Sequence, residues 1–293
     1  MLPKMEQSKV RSDVRIAGVV VLYQSPPSCL DSIRTYWHQV EKLYIIDNSP
    51  VAIDWIADLG PDRPTISYSH FGTNLGIATA LNVAAKAAIA DQFDYLLTMD
   101  DDSQAPADMI TRMKTYLAQT NTDRLGVLAP RHVLSTAPSN VPAPTEAHSV
   151  LTTMTSGNLL KLAVYQQVGP FLDSLFIDVV DHEYYLRLRK NNYQVIELPW
   201  VELTHRLGAQ KQRLGLRFVS HNPTRNYYLV RNSIFVANLY RHIEPSYLVY
   251  ALKIVLIETA KAALLEDKPT ERLRAIFQGL ADGFRGRLGK QRL

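Results

Sequence analysis

The sequence predicts an α/β protein built on a mostly parallel β-sheet. Short apolar segments of strand length alternate with helical segments through the first hundred residues, an order typical of parallel sheets flanked by helices. Several of these apolar segments run directly into Asp, Asn or Ser. Because ligands of such sheets bind beyond the carboxyl ends of the strands, these polar residues are candidates for a functional site.

Four strands and two helices are predicted in this first part of the chain. The first strand is the nearly continuous apolar run 14–23, which ends at a Ser-Pro-Pro sequence. A run without polar alternation is typical of a strand that is buried on both faces. The other elements are a helix at 28–39, strands at 42–46 and 66–70, an alanine-rich helix at 76–90 and a strand at 95–99.

The second half of the sequence is less regular. A Pro- and Ser-rich loop at 136–145 is expected to form a flexible flap, and a strand is predicted at 195–199. From residue 223 onward the pattern is helical. We expect residues 1–240 to form one domain and residues 241–293 to form a C-terminal amphipathic, basic helical region.

Composition narrows the class of protein. Of 293 residues, 46% are hydrophobic and 20% are charged, which excludes extensive disorder. The single cysteine, Cys29, excludes a disulfide scaffold and favours a reducing compartment. The polar N-terminus and the charges within the apolar stretches predict neither a signal peptide nor a membrane-spanning helix. We therefore expect a cytoplasmic protein.

Positive charge is concentrated near the C-terminus. Residues 268–293 carry seven basic and two acidic residues, although the net charge of the whole chain is only +4. The apolar residues that recur among these cations at helical spacing are Leu273, Ile276, Phe277, Leu280, Phe284 and Leu288. This pattern favours a helix lying on a membrane over a nucleic-acid-binding arm. The alternative is that the apolar stripe packs on the protein's own core.

Three consecutive aspartates follow the fourth predicted strand. Asp100, Asp101 and Asp102 would repel one another unless a cation lay among them, and carboxylate oxygens suit Mg²⁺ or Mn²⁺. A solvated turn that caps the next helix is the structural alternative. Asp47 follows the second strand and Asn74 the third. We therefore expect all five residues to line one edge of the sheet.

Asp181 is the candidate general base. It lies in an acidic segment with Asp178 and Glu183. If this segment begins a helix, Glu183 shares a face with Arg187 and forms a structural ion pair with it. Asp181 is then left to accept the proton of an alcohol, although a single acid at such a position is more often an N-cap.

Three further residue types carry weaker indications. His205 follows a predicted strand, and a histidine close to a carboxylate-bound cation is a fair ligand for metal or phosphate. Arg225 and Arg231 lie on neighbouring helical turns, and guanidinium groups suit a diphosphate. Gly76 allows a ligand to approach the backbone closely. Each also has an ordinary structural explanation, in helix packing or in a loop.

Taken together, these segments resemble glycosyltransferase family 2, and more narrowly its bacterial rhamnosyltransferase-like branch. The matching segments occur in the family's order and span most of the chain. They are VVVLYQS at 19–25, IIDNS at 45–49, NLGIATALN at 74–82, LLTMDDDS at 96–103, TSGNLL at 155–160, FIDVVDHEYYLRLR at 176–189, LTHRLG at 203–208 and NPTRNYYLVRN at 222–232.

The resemblance implies a GT-A fold, which is a Rossmann-like mixed sheet flanked by helices, with a C-terminal helical extension. It also implies an inverting transfer from a nucleotide sugar, with dTDP-L-rhamnose as the favoured donor and Mg²⁺ or Mn²⁺ as the cofactor. UDP-galactofuranose or another UDP-hexose is an alternative donor, and a non-catalytic nucleotide-sugar-binding module is an alternative function. A nucleotidyltransferase is disfavoured, because no Gly-rich basic phosphate loop follows the first strand.

The resemblance also implies roles for individual residues. Asp181 would be the catalytic base, with Glu183 as the acid two positions on. The family commonly has Glu directly before this base, where this chain has Val180, and Asp178 would compensate for the difference. Asp47 would read the pyrimidine base.

The metal and the rest of the donor are implied to bind around the Asp-x-Asp element. Asp102 would be the direct metal ligand, Asp100 would contact ribose or metal, and His205 would join the metal ligands. Gly157 would support the acceptor side. The further donor-binding positions are Tyr23, Asn74, Gly76, Asp101, Ser156, Arg225 and Arg231.

The acceptor implied by the resemblance is a saccharide or a lipid-linked saccharide in cell-surface polysaccharide synthesis. Residues 245–265 are apolar but are interrupted by charges, so we expect an amphipathic rather than a spanning segment. With the basic C-terminal region, this predicts a peripheral protein on the inner face of the cell membrane. Nucleic acid is not expected as a partner, and a homo-oligomer is compatible with the sequence.

Overall fold

A mixed nine-stranded β-sheet forms the centre of the protein. The structure, a computed structural model, describes residues 14–59, 65–134, 144–205, 210–213, 215–220 and 222–291. The strands of the sheet are β1 (Ile16–Leu22), β2 (Lys42–Asp47), β3 (Thr65–His70), β4 (Tyr95–Asp100), β5 (Ser103–Gln104), β6 (Leu125–Leu134), β7 (His148–Val150), β8 (Asn158–Lys161) and β9 (Gln194–His205). A separate hairpin consists of β10 (Gln210–Arg213) and β11 (Leu216–Val219).

Eight α-helices accompany these strands in the described part of the chain. They are α1 (Cys29–Tyr36), α2 (Ile77–Ala90), α3 (Met109–Gln119), α4 (Leu162–Val168), α5 (Val180–Lys190), α6 (Pro223–Tyr240), α7 (Pro245–Leu264) and α8 (Pro269–Arg285). Short 3₁₀ turns lie at Trp37–Gln39, Trp55–Leu59 and Asp173–Leu175.

The sheet has a parallel half and a largely antiparallel half. The strand order is β3-β2-β1-β4-β8-β6-β9-β5, and β7 pairs with β9. Strands β1 to β4 pair in parallel, as the alternation of strands and helices predicts. Beyond β4 the pairings are antiparallel, except that β6 and β9 are parallel. This mixed α/β architecture confirms the expected fold class.

Apolar side chains on both faces of the sheet form the core. In β1, Ala17 and Val19 pack on one face with the buried alanines of α2 and the tyrosines of α5, whereas Val20 and Leu22 pack on the other face with α1 and α3. Because successive strand residues point to opposite faces, a strand that is covered on both sides must be apolar throughout. The near-continuous apolar run predicted β1 for this reason.

Some element boundaries differ from the prediction. The first helix ends at Tyr36 and continues as a 3₁₀ turn. The strand expected at 195–199 continues to His205, because a register shift opposite β6 accommodates Pro199, which cannot donate a ladder hydrogen bond. The strand β6 is not among the predicted elements. The flap expected at 136–145 lies outside the described residues except for its last two.

The three C-terminal helices pack against one another. Val230 of α6, Ala262 of α7 and Ile276 of α8 are buried together. A Cβ atom at Gly279 would lie 2.6 Å from the carbonyl oxygen of Tyr227, so α8 lies directly on the backbone of α6. Among the helices that the structure describes, none is long and apolar enough to cross a membrane.

Candidate active site

The carboxyl ends of the parallel strands bring the predicted acidic residues to one edge of the sheet. Asp47 ends β2 and is paired with Leu22 at the end of β1. On the other side of β1, Asp100 ends β4 and is paired with Val21. The two aspartates therefore flank the same central strand, as the strand-end argument predicts.

Asp47 is fully buried and accepts hydrogen bonds from its own chain. Its Oδ1 accepts from the Ser49 amide at 2.9 Å, and its Oδ2 accepts from the Ile53 amide at 3.0 Å and from the Tyr68 hydroxyl at 2.6 Å. Burial raises the pKa of Asp47, but these hydrogen bonds outweigh it and hold the pKa below its usual value. The carboxylate thus orders the loop after β2. Its contact with a nucleobase stays a prediction.

The acidic turn after β4 concentrates negative charge. Burial raises the pKa of Asp100 to about 7, and the charges of Asp102 and Asp101 add to this shift. The charge of Asp181 contributes to it as well, which places that carboxylate near the turn. The candidate metal ligands and the candidate base therefore lie on the same side of the molecule.

Asp101 points away from this cluster. Its Oδ2 accepts hydrogen bonds from the Ser25 hydroxyl and, at 3.6 Å, from the Cys29 thiol. Ser25 lies in the loop between β1 and α1, and Cys29 is the first residue of α1, so Asp101 connects this part of the chain to the acidic turn. Its place among the donor-binding residues stays a prediction. The metal-ligand roles of Asp100 and Asp102 also stay predictions.

Ser156 and Gly157 support the acidic turn from the strand β8 side. The Ser156 hydroxyl accepts a hydrogen bond from the Asp100 amide at 3.0 Å and donates to the Ser103 hydroxyl at 2.8 Å. Gly157 has a φ of +81°, and a Cβ atom there would lie 2.6 Å from Pro130. Glycine is required at this position by both conformation and space. Contacts of these two residues with donor or acceptor stay predictions.

Asp181 lies in the first turn of α5 with both carboxylate oxygens oriented. Its Oδ1 accepts from the His182 amide at 2.8 Å, and its Oδ2 accepts from the Thr155 hydroxyl at 3.1 Å. The residue is half-buried. A carboxylate held in this way is suited to accept a proton from a hydroxyl within hydrogen-bond reach.

Glu183 points away from the cleft side and into the core. It is buried and binds Arg187 through both oxygens, at 3.1 and 2.6 Å, and it accepts a hydrogen bond from the Tyr240 hydroxyl at 2.7 Å. The ion pair predicted from the helical spacing is confirmed. Glu183 therefore supports the site from within, by attaching α5 to α6.

Arg225 and Arg231 were expected to grip a diphosphate, and the structure gives both of them partners within the chain. Arg225 binds Asp178 through Nε and an Nη atom, at 3.1 and 3.0 Å. Arg231 is buried, and it donates to the carbonyl oxygens of Gly289 at 2.6 Å and Leu175 at 3.0 Å. The hydrogen-bond donors of Arg231 are therefore used in the interior, and its place among the donor-binding residues stays a prediction.

The segment that precedes Asp181 has a strained backbone. Phe176, Asp178 and Val179 have φ values of 67°, 60° and 66°, a region that a β-branched residue such as Val179 rarely adopts. The surrounding structure must hold this conformation. Gly76 is part of that support: its φ is +90°, and a Cβ atom there would lie 2.5 Å from the carbonyl oxygen of Phe176. Gly76 thus makes room for the strained segment.

Asn232 is a site residue that the sequence analysis missed. It is fully buried on α6, and its Nδ2 lies 2.9, 2.7 and 2.9 Å from the carbonyl oxygens of Leu175, Ile177 and Asp178. It closes the matching segment at 222–232, which is the only signal that could have identified it. Asn232 and Arg225 together attach the strained segment to α6.

Two tyrosines of α7 contact His182, the residue next to Asp181. The Tyr247 hydroxyl lies 3.0 Å from Nδ1 of His182, and the ring of Tyr250 lies 5.6 Å from that imidazole. Tyr250 is 41% exposed. The charge of Asp181 raises the pKa of Tyr250, after the larger effect of burial. The C-terminal region thus contributes an aromatic wall next to the candidate base.

The remaining candidates lie near the same edge. Tyr23 follows β1 and is 49% exposed. The Asn74 side chain accepts from the Gly76 amide at 2.9 Å, and its backbone oxygen accepts from the Lys290 ammonium group at 3.0 Å. His205 ends β9 opposite Ser103, and its side chain lies outside the described residues.

The residues of the acidic turn fit a divalent cation in their chemistry. The charges of Asp102 and Asp101 add to the effect of burial in raising the pKa of Asp100, and a bound cation would oppose this shift. Among the residues that the structure describes, no group of three or more His, Cys, Asp and Glu side chains is arranged to hold a metal. Mg²⁺ commonly binds to one or two carboxylates and to substrate phosphates, so the metal-binding roles of Asp100 and Asp102 stay predictions.

Comparisons with known proteins agree with this geometry. Residues 24–141 match the family described as Glycosyl transferase family 2. The chain is 26% identical to the dTDP-rhamnosyl transferase RfbF of Shigella flexneri, over 94% of this chain and 97% of that protein.

Two solved structures show the same fold. The crystal structure of S. aureus TarS 1-349 has a TM-score of 0.54 at 12% identity and covers 93% of this chain and 92% of that one. The crystal structure of GalNAc-T7 with UDP, GalNAc and Mn²⁺ has a TM-score of 0.56 at 10% identity, over 93% of this chain and 56% of that one.

Proposed function

We propose that the chain is a glycosyltransferase of family 2 and that it transfers L-rhamnose from dTDP-L-rhamnose to a saccharide hydroxyl with inversion at the anomeric carbon. The match of residues 24–141 to this family and the likeness of the fold to a solved structure support the proposal. The donor assignment is supported by the similarity to a dTDP-rhamnosyl transferase along nearly the whole chain. The observation that carries the mechanism is the proximity of Asp181 to the acidic turn: the Thr155 hydroxyl donates to Asp181, and the hydroxyl of the adjacent Ser156 accepts from the Asp100 amide.

Asp181 is the base in this proposal. Inversion requires one in-line displacement, in which the acceptor oxygen bonds to the anomeric carbon as the bond to the donor diphosphate breaks. The electron pair of the broken bond leaves with the diphosphate, and the acceptor proton passes to Asp181. Thr155 and the His182 amide hold both oxygens of this carboxylate, and such fixed orientation favours proton transfer.

Asp100 and Asp102, with His205, are the residues that would hold Mg²⁺ or Mn²⁺. Bound there, the cation would supply positive charge to a diphosphate that becomes more negative as it leaves. GalNAc-T7, which has the same fold, is described with Mn²⁺. The nearby Asp101 keeps the turn in place through Ser25.

The donor nucleotide is proposed to bind along the edge formed by the ends of β1, β2 and β4. Tyr23, Asp47 and Asn74 are its proposed contacts, with the exposed ring of Tyr23 available for stacking. Ser156 and Asp101 support the turn beneath it. Arg225 is bound to Asp178, so in this proposal it acts on the donor site indirectly, by holding Asp178.

The acceptor is proposed to be a saccharide or a lipid-linked saccharide of cell-surface polysaccharide synthesis. The enzyme would act in the cytoplasm as a peripheral protein on the inner face of the cell membrane. Residues 1–240 would form the catalytic domain, and residues 241–293 would provide the membrane contact as well as Tyr250 beside the base.

The test of the donor assignment is a thermal-shift screen of nucleotide sugars with and without divalent metal. A ligand that binds the native state raises the melting temperature according to its concentration over its dissociation constant. We expect dTDP-L-rhamnose with Mg²⁺ or Mn²⁺ to give the largest shift. A larger shift with UDP-galactofuranose or another UDP-hexose would reassign the donor, and donor hydrolysis in the absence of acceptor would exclude a non-catalytic binding module.

A further inference from the structure

Helix α7 exposes an unusually apolar surface. Its buried side is narrow and consists of Tyr247, Ala251, Glu258 and Ala262. The opposite side exposes large aliphatic side chains over its whole length. These are Leu248 (41% exposed), Val249 (56%), Leu252 (52%), Leu256 (70%), Ile257 (56%) and Leu264 (65%). Single exposed aliphatic residues are ordinary, but a continuous row of them on one helix indicates an interaction surface.

The apolar stripe that the sequence identified on α8 is used differently. Ile276 is buried and Leu273 and Leu280 are partly buried against α6 and α7. Gly279 and Gly283 lie on the α6 backbone, where Cβ atoms would come within 2.6 and 2.5 Å of carbonyl oxygens. Most of this stripe therefore packs inside the protein, which was the alternative to membrane binding in the sequence analysis. Of the large apolar residues of this stripe, Phe277 and Phe284 remain exposed, at 61% and 67%.

The charges around α7 favour an anionic partner. All six acidic residues between positions 241 and 291 are paired with a cation in the structure. In contrast, Lys253 on α7 and Arg274 and Arg285 on α8 form no ion pair with any described residue. Helices that bind an anionic membrane surface typically combine an aliphatic face with cations that have no acidic partner. Helices α7 and α8 together have both features.

A second copy of this chain fits the surface less well. Two copies that met through α7 would bring two sets of unpaired cations together, and no acidic side chain in this region is left to compensate them. An anionic bilayer instead offers acyl chains to the aliphatic row and phosphates to the cations. The charge balance therefore selects the bilayer.

The active site lies at the beginning of the same helix. Tyr247 and Tyr250 contact His182, which is adjacent to Asp181. Helix α7 thus carries both the two tyrosines beside the candidate base and the row of exposed aliphatic side chains.

We propose that the exposed aliphatic face of α7 docks on an anionic lipid bilayer, with Lys253, Arg274 and Arg285 contacting the headgroups, so that the acceptor side of the active site faces the membrane. This rests on the membrane attachment included in the proposed function, and it assigns the inserted apolar face to α7 in place of the apolar stripe of α8, whose cations keep their role at the headgroups. The corresponding acceptor class is an amphiphile whose sugar lies at the bilayer surface.

The test is flotation of the full chain with vesicles of phosphatidylcholine alone and with added phosphatidylglycerol. We expect binding to the anionic vesicles that weakens at high salt, and a loss of about tenfold or more in the double variant Leu252→Glu/Leu256→Glu, because burying a charge in the interface opposes insertion. Val51→Glu is the matched control, since Val51 is 79% exposed and lies on the loop after β2, outside the C-terminal helices. It should bind as the unmodified chain does.

A second variant separates the aliphatic face from the cations. Arg274→Gln/Arg285→Gln should reduce the salt dependence of binding and retain some affinity for anionic vesicles. Equal binding by the Leu252→Glu/Leu256→Glu variant and the unmodified chain would overturn the proposal. So would a dimer in sedimentation velocity that this variant dissociates, without vesicle binding. The assay contains no donor, so an error in the donor assignment would leave its result unchanged.

Discussion

The side-chain amide of Asn232 lies 2.9 Å from the carbonyl oxygen of Asp178. The two residues are 54 positions apart in the sequence, and this contact belongs to a set of three that the same amide makes with the segment before Asp181. Because that segment has three residues with positive φ, its shape depends on partners outside it. The position of the candidate base is therefore determined by α6.

Replacing Asn232 by Leu should separate positioning from binding. The variant keeps the branched shape of the side chain and removes its donors, so we expect kcat to fall by ~10–100-fold with little change in the donor KM. Unfolding by urea should show a loss of about 1–3 kcal/mol from the unsatisfied carbonyl groups. Asn238→Ala, at an exposed position of the same helix, should change neither quantity. An equal rise in the donor KM would argue against a positioning role.

Gly76→Ala should destabilise the protein more than Gly72→Ala. Both glycines have positive φ, but only at Gly76 would the new methyl group meet backbone, 2.5 Å from the carbonyl oxygen of Phe176. At Gly72 the nearest atom is 4.0 Å away. We expect the difference in the free energy of unfolding between the two variants to be about 1–3 kcal/mol. Equal values would mean that the Phe176 segment moves without cost.

Asp181→Asn should nearly abolish transfer while donor binding is retained. Loss of one general base lowers kcat by ~10²–10⁴-fold, and the amide keeps the size of the carboxylate. Single-turnover transfer and isothermal titration with the nucleotide sugar measure the two effects. Asp108→Asn, an exposed acid paired with Arg112, is the control. Near-normal transfer by Asp181→Asn would shift the search for the base to another acid.

Asp102→Ala should weaken both metal and donor binding. Titration with Mn²⁺ alone, followed by dTDP-L-rhamnose with metal, should show at least about tenfold weaker binding in each case. Asp54→Ala removes an exposed carboxylate from a neighbouring loop and should leave both affinities intact. Unchanged Mn²⁺ binding in Asp102→Ala would remove this residue from the metal site.

Tyr250→Ala should raise the KM for the acceptor. Its ring lies 5.6 Å from the His182 imidazole and is 41% exposed beside the candidate base. Contacts of one aromatic ring contribute about 0.5–1.5 kcal/mol, so we expect an increase of about 2- to 10-fold in KM. Tyr250→Phe should behave like the unmodified enzyme. A change in donor affinity instead would mean that the tyrosine lies on the donor side.

Roles that depend on partners far away in the chain could not be read from local patterns. Arg231 has the spacing and charge of a diphosphate ligand, yet its donors are taken up by the carbonyl oxygens of Leu175 and Gly289. A guanidinium suits both partners, so the residue type does not distinguish them. Glu183 was predictable because its partner, Arg187, lies four residues on along one helix.

The sequence by itself determined the parallel half of the sheet and the edge at which Asp47 and Asp100 lie. Both follow from local rules, since an apolar run must be covered on both faces and the ends of parallel strands lie side by side. The tertiary structure alone decided which side chains hold the base and which face of the C-terminal helices stays open. Helical spacing predicts that α8 has an apolar stripe, but it does not predict what covers that stripe. In the structure, α8 packs on α6 through Gly279 and Gly283, and the large apolar side chains of α7 stay exposed.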